Sequence, residues 1–297
     1  MAGGQERILR RRIKSVQSTR KITKAMELIA ASQISRSQAR IVANRPYRNG
    51  MRRVIVEAAK ADPAGAAKLL ATPERVQAAI VLVVTGDRGL SGAYNSSVMR
   101  AGERLVRKLE GDGSTVRLYT IGKKAGAFYR FRGIDVAEGF VAMSDRPTFE
   151  DARRVAATVA APFVSGEAQQ VLLVSTRFLS AATQSVEVEQ LLPLALPAMP
   201  ETETTKVPRG YTEFEPEVEQ LLTTLAPKAL ESEIFSALLE GAASFHISQQ
   251  RAMAAATDNA DELAQNLSRI MNRARQDSIT TEIMEIVGGA EALRSGK

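Results

Sequence analysis

Residues 8–34 read Ile-Leu-Arg-Arg-Arg-Ile-Lys-Ser-Val-Gln-Ser-Thr-Arg-Lys-Ile-Thr-Lys-Ala-Met-Glu-Leu-Ile-Ala-Ala-Ser-Gln-Ile. Leu9, Ile13 and Val16 make one apolar row, and Ile22, Met26 and Ile29 make the next. Both rows step by three and four, the helical period. Arg10, Arg11, Arg12, Lys14, Arg20, Lys21 and Lys24 crowd the other faces. The same character holds over residues 5–61, where Pro46 is the one breaker. The segment is therefore read as one long helix that Pro46 can kink. A solvated face is the ordinary explanation for helical charge, but the density here argues for an acidic partner surface.

Working outward, the far end of the chain is helical again over 217–287, and Pro227 restarts or kinks it. Leu263, Leu267, Ile270 and Ala274 form one row, and Ile279, Ile283 and Ile286 another. Gly288-Gly289 is the expected stop, and a disordered tail is expected beyond Leu293. A helix of about 55–60 residues is roughly 80–90 Å long, more than a domain of this size can bury. Two such helices entering and leaving one domain can pair antiparallel and cover each other's apolar stripes. The many alanines over 242–260 allow close approach. Such a pair leaves faces uncovered, so further protein must surround it. This is the pattern of a shaft or strut.

Between the helices the period changes. Ala78-Ala-Ile-Val-Leu-Val-Val84 is a β-branched run bounded by turn residues, as in a buried strand. A helix is expected over 95–109 with Asn95 as its N-cap, then a strand over 116–121 and a helix over 123–132. Thr148 is expected to cap a helix over 149–161, with Glu150 and Asp151 at its positive end, before a third strand over 170–175. Strand and helix alternating at this length predict a small, mostly parallel, Rossmann-like α/β domain. Five of the eleven prolines fall between Pro193 and Pro216, marking an extended excursion. The expected division is a shaft helix at 1–62, the inserted α/β domain at 74–195, a connector at 196–216, a second shaft helix at 217–288 and a tail at 289–297.

The charge is unevenly spread over the 297 residues. Residues 1–62 carry a balance of +11, residues 63–215 of +1 and residues 216–297 of −5. A basic first segment and an acidic last one suit each other as neighbours. There is no cysteine, so disulfides, thiolate metal sites and thiol nucleophiles are excluded. The single histidine, His246, rules out a histidine metal cluster. The longest unbroken apolar run, Ala78 to Val84, is far short of a membrane span. A membrane is therefore reached only through a partner. The Arg-rich start runs without a break into the helix pattern, and no secretory signal is read there.

Candidate chemistry is sparse. Gly86-Asp-Arg-Gly-Leu-Ser-Gly92 follows a strand and precedes a helix, the place for a phosphate loop. It lacks the Gly-Lys-Ser/Thr ending of a P-loop and the spacing of the dinucleotide fingerprint, so a tight strand-to-helix turn is the simpler reading. Glu282 and Glu285 stand three apart on a helix, with no pocket to perturb them for acid/base work. The methionines read as packing residues. The basic helix lacks the interleaved aromatics of a nucleic-acid module. No cofactor, metal site or catalytic group is expected. From these residues alone three readings stay open: a coiled-coil scaffold, a nucleotide-binding enzyme using the Gly86 loop and a nucleic-acid-binding helical protein.

A family resemblance narrows them. Residues 8–34 resemble the opening helix of the F-type ATP synthase gamma subunit, and Ile279-Thr-Thr-Glu-Ile-Met-Glu-Ile-Val-Gly-Gly-Ala290 resembles its C-terminal signature. Between them Thr85-Gly-Asp-Arg-Gly-Leu-Ser-Gly-Ala-Tyr-Asn95, Gln190-Leu-Leu-Pro-Leu194, Ala256-Thr-Asp-Asn259 and Asn272-Arg-Ala-Arg-Gln276 occur in the expected order. The resemblance spans nearly the whole chain and implies a rotor shaft of a proton-translocating ATP synthase. It implies as partners the alpha and beta subunits of the catalytic ring, the epsilon subunit and the membrane c-ring, with no nucleic acid. It implies peripheral attachment at the cytoplasmic face of a bacterial cell membrane.

By the same resemblance Arg275, Gln276, Thr280 and Glu282 are the patch that engages the beta subunits, joined by Met26, Lys21 and Lys24 on the opposing helix. Phe214 and Glu215 are the foot near epsilon and the c-ring. Gln249 stands where many members carry Arg, which puts one shaft contact in doubt, and Ser91 stands where Cys is frequent. The regulatory cysteine pair of chloroplast members is missing, which excludes thiol control.

Overall fold

A computed structural model describes residues 2–63, 75–194, 214–215 and 217–295. In chain order the elements are α1 (Ala2–Ala61), β1 (Ala78–Val84), α2 (Tyr94–Gly111), β2 (Thr115–Ile121), α3 (Lys123–Phe131), β3 (Glu138–Phe140), α4 (Phe149–Val164), β4 (Gln170–Phe178), β5 (Gln184–Leu192) and α5 (Val218–Ser295). They form two compact units, residues 1–30 with 249–297 and residues 31–248. This division cuts inside both long helices, whereas the sequence places boundaries at their ends. The expected connector at 196–216 lies outside the described residues apart from Phe214 and Glu215.

In the first unit the early part of α1 pairs with the later part of α5. The hydroxyl of Thr23 meets that of Thr257 at 2.8 Å, and Arg20 pairs with Asp261. Increasing number on one helix matches decreasing number on the other, so the pair is antiparallel. The seam runs through Leu9, Ile13, Val16, Thr23 and Ala30 on α1, and through Met253, Thr257, Ala260, Ala264, Leu267, Met271 and Ala274 on α5. Steps of four and three alternate, giving the 3.5-residue repeat that keeps a seam facing its partner.

This corrects the expected rows. Ile22, Ile29, Leu263 and Ile270 are exposed, because the seam continues through a threonine and alanines that a count of large apolar residues passes over. The stop expected at Gly288-Gly289 is also corrected, since α5 runs on to Ser295. Glycine permits a left-handed cap without imposing one, and Ala290, Glu291, Ala292 and Leu293 favour helix. The proposed kinks do not break the helices, for α1 passes through Pro46 and α5 through Pro227.

The second unit holds a five-stranded sheet in the order β3-β2-β1-β4-β5. β1 lies parallel to β2 and β4, β2 parallel to β3, and β5 runs antiparallel along β4 as an edge. Successive side chains of β1 enter opposite cores, as the period of two requires. Ile80, Leu82 and Val84 pack with Val155 and Val159 of α4 and with Leu230, Ile234 and Leu238 of α5. Val81 and Val83 pack with Val98 and Val106 of α2 and with Tyr129 of α3. Burial on both faces explains the unbroken apolar run. Within the same unit Ile41 of α1 meets Leu239 and Ala243 of α5, and Ile55 and Ala58 meet Leu222 and Ala229.

Thr148 caps α4 as expected. Its hydroxyl accepts from the Asp151 amide at 3.2 Å, and the Asp151 carboxylate accepts from the Thr148 amide at 2.8 Å, the reciprocal capping box. Asn95 does not cap α2, which starts at Tyr94 after Ala93. Its side chain turns back into the preceding loop. β3 and β5 are additions to the expected elements. β3 is only three residues long, and β5 alternates Val and Glu as a half-exposed edge does.

Candidate functional site

α5 ends as an uncovered helix. From Ile279 to Glu291 every residue is exposed, including Ile279, Ile283, Met284, Ile286 and Val287. At about 100° per residue, Arg275, Ile279, Glu282 and Ile286 fall on one side, with Gln276, Thr280 and Ile283 beside them. The partly buried seam residues Met271 and Ser278 border that side next to Glu282, with Ala274 beyond them. The four residues expected here, Arg275, Gln276, Thr280 and Glu282, are thus brought together on the free face of α5, among exposed isoleucines. An exposed apolar stripe edged with polar groups is a surface for protein rather than for water.

The residues expected on α1 are less uniform. Lys21 is exposed and lines a shallow groove with Arg20, Asp261, Gln265, Ser268 and Arg269. Lys24 holds Glu27 at 3.0 Å on its own helix, which partly offsets its charge. Met26 is half-buried. In the other unit, Phe214 packs partly against the cluster of Ile55, Ala58, Leu222 and Ala229, while Glu215 is exposed. Phe214 is therefore also a packing residue.

Loop 86–92 is built as a hydrogen-bonded turn. Asn95 accepts from the Gly86 amide at 2.8 Å and donates to the Arg88 carbonyl at 3.0 Å. The Asp87 carboxylate accepts from the Lys123 amide at 3.1 Å and from the Ser144 hydroxyl at 2.7 Å. Burial alone would raise the Asp87 carboxyl. The Ser144 hydroxyl and the main-chain amides of Ala142, Lys123 and Ser144 outweigh it and hold Asp87 below the ordinary carboxylate range. The Gly86 and Asp87 amides and the Asp87 carboxylate are thus engaged internally, which supports the tight-turn reading over a phosphate cradle.

A second constellation was not foreseen in the sequence. Arg48 and Arg52 of α1 converge on Glu233 of α5, at 2.5 Å and 2.7 Å, and reach Glu189 of β5 at 3.7 Å and 3.2 Å. Arg48 also reaches Glu240 at 3.4 Å, which in turn accepts from the Phe178 amide at 3.0 Å. Burial pushes the Glu233 carboxyl up, but hydrogen bonds and charge from Arg52 and Arg48 win and keep it below its usual range. The signal was available as arginines four apart and glutamates seven apart on two helices, but nothing in one sequence pairs them.

Among the described residues no group of three or more His, Asp or Glu could hold a metal ion, and no helix is long and apolar enough to cross a membrane. Glu282 and Glu285 stand on an open helix surface. Long paired helices, an α/β domain whose candidate loop is pinned by Asn95, Lys123 and Ser144, and a free amphipathic helix end define a class: a helical stalk protein that works by binding.

The model of the family described as ATP synthase matches residues 5–293. The ATP synthase gamma chain of Parafrankia sp. (strain EAN1pec) is 45% identical over 99% of this chain and 99% of its own length. That of Frankia casuarinae is 44% identical with the same coverage. A chain of the Euglena gracilis mitochondrial ATP synthase shares the fold at a TM-score of 0.68 and 17% identity, over 99% of this chain and 96% of that one. A chain of the Tetrahymena thermophila central stalk and c-ring matches at 0.62 and 23% identity, over 79% and 99%. This protein belongs to the ATP synthase gamma chain family.

Proposed function

We propose that the free face of α5 is where this gamma chain engages the beta subunits of the catalytic ring. As a gamma chain it is the non-catalytic central-stalk subunit of ATP synthase, with the catalytic sites on beta. The single observation that carries the proposal is the uncovered helix from Ile279 to Glu291, apolar on a face that also presents Arg275, Gln276, Thr280 and Glu282. A stalk must present different contacts to successive copies of beta, because a part that interacts equally with every site conformation shifts none of them. One helix with unlike faces meets that requirement.

Lys21, Lys24 and Met26 extend the beta contact onto α1, where the basic excess of residues 1–62 is matched by an acidic segment of beta. Phe214 and Glu215 form the foot toward epsilon and the c-ring. The chain is peripheral, held at the cytoplasmic face of a bacterial cell membrane through those partners. The deciding experiment assembles matching alpha and beta subunits with and without this chain. A stoichiometric complex with cooperative ATP turnover is expected. Failure to join the ring, or ATP hydrolysis by the chain alone, overturns the proposal.

A further inference from the structure

In open α/β folds ligands bind outside the carboxyl ends of the parallel strands. Here loop 86–92 follows β1 at that end, and the space is taken by the chain's own helix. The ring of Phe245 on α5 lies edge to face with Tyr94 at 5.6 Å between centroids. A Cβ at Gly86 would come within 3.1 Å of the Phe245 ring, and one at Gly241 within 3.2 Å of the Tyr94 hydroxyl. The two glycines are the clearances that let α5 sit down on the loop and on the start of α2.

The segment that follows β3 closes the other side. Ser144 is held by Asp87 through its hydroxyl and amide, Asp145 pairs with Arg88 at 2.7 Å, and the Pro147 carbonyl accepts from Arg40 of α1. The ring of His246, buried on α5, hydrogen-bonds the Asp145 main chain. Three residues of this segment, Ser144, Asp145 and Pro147, thus gather contacts from the loop, from α1 and from α5. All of these contacts lie within the unit of residues 31–248.

We propose that loop 86–92 and segment 144–147 form a keyed seat for α5, and that Asp87, Arg88, Ser144 and His246 are positioning residues that make the α/β domain and the helices turn as one body. The fold's ordinary ligand crevice has become a mechanical joint. This rests on the gamma chain reading and adds to it a role for the glycine loop. A loosened joint lets the domain yield under load, so it lowers the work delivered per ATP while sparing turnover at the catalytic sites.

The test uses the complete complex in proton-tight vesicles, measuring ATP hydrolysis and ATP-driven acidification together. For Arg88→Ala, hydrolysis is expected to stay within about twofold, while protons pumped per ATP fall about threefold or more, within the range of mutational effects on coupling. Arg88→Lys should restore most of the loss. Because the chain has no cysteine of its own, Asp87→Cys with Ser144→Cys gives a second test in one assembled sample. The ratio should be low when reduced and recover on oxidation. A wild-type ratio in Arg88→Ala and in the reduced cysteine pair overturns the joint. So does saturable binding of ATP or inorganic phosphate to the full chain that Arg88→Ala abolishes. Loss of cooperative hydrolysis in the wild-type assembly would instead count against the gamma chain reading.

Discussion

Replacing Glu233 by Gln removes one charge from the cluster that ties α1, α5 and β5 together. The side chains of Glu233 and Arg48 are 13% and 14% exposed, and Arg52 is 29% exposed, so water offers the stranded guanidinium groups little compensation. Breaking a buried pair by removing one partner costs about 3–5 kcal/mol. Glu189 and Glu240 remain within 3.7 Å and 3.4 Å of Arg48 and partly replace the lost charge, which brings the expected loss to or just below the bottom of that range, about 2–3 kcal/mol. The assay is urea unfolding of the full chain followed by tyrosine fluorescence, since there is no tryptophan and Tyr94, Tyr119 and Tyr129 sit in the α/β domain.

Added salt should change the loss little, because buried charges are weakly screened. The sign with pH follows from a folded-state carboxyl held below its unfolded value. That contribution is complete above the ordinary carboxylate range and is lost as pH falls through the folded value, so the acid slope should be shallower in Glu233→Gln. The control is Glu187→Gln, whose pair with Arg177 is 41% and 47% exposed and should matter little. A loss below about 1 kcal/mol for Glu233→Gln, or equal losses in both variants, refutes the assignment of stability to this cluster.

Three other expectations follow from named contacts. Arg275→Glu should lower ATP synthesis by the assembled complex several-fold through like-charge repulsion at the beta surface, and unchanged synthesis counts against that role. Burial, reinforced by Arg88 and Arg146, outweighs Asp145 and holds the His246 imidazole below its usual value of about 6.5. Its contribution to stability is therefore complete above that pH and declines as pH falls below it; His246→Asn should flatten this part of the pH profile, read by thermal melts across pH 5 to 7. Thr23→Val or Thr257→Val alone removes the hydroxyl contact across the seam but leaves the other hydroxyl donating to its own helix, to the Met253 or Arg20 carbonyl, so each should cost about 0.5–1.5 kcal/mol and the double variant less than the sum of the two in urea unfolding.

The elements were legible where local chemistry decides them. β1 spans the residues that its β-branched run marked, α4 begins at the Thr148 cap, and the long helices cover the segments that their period marked. The row Ile279, Ile283 and Ile286 was legible as apolar, but its exposure on α5 was not, since period alone does not say which stripe a partner covers. Asn95 shows where local reading failed. Asn is a favoured cap, yet here it bonds the loop before its helix, a choice set by Ser91 and Gly86 nearby. Ile22 and Ile29 failed for a related reason: a helix alone shows several apolar stripes, and only a partner selects one.

The sequence by itself determined the two helical ends, the parallel α/β middle and the absence of thiol chemistry, since these follow from period, turn residues and composition. Only the tertiary structure decided the 3.5-residue seam, the convergence of Arg48 and Arg52 on Glu233, and the seating of Phe245 on Gly86. Each of these joins residues more than a hundred positions apart. Their energy comes from shared burial of both partners, a quantity that neither segment carries alone.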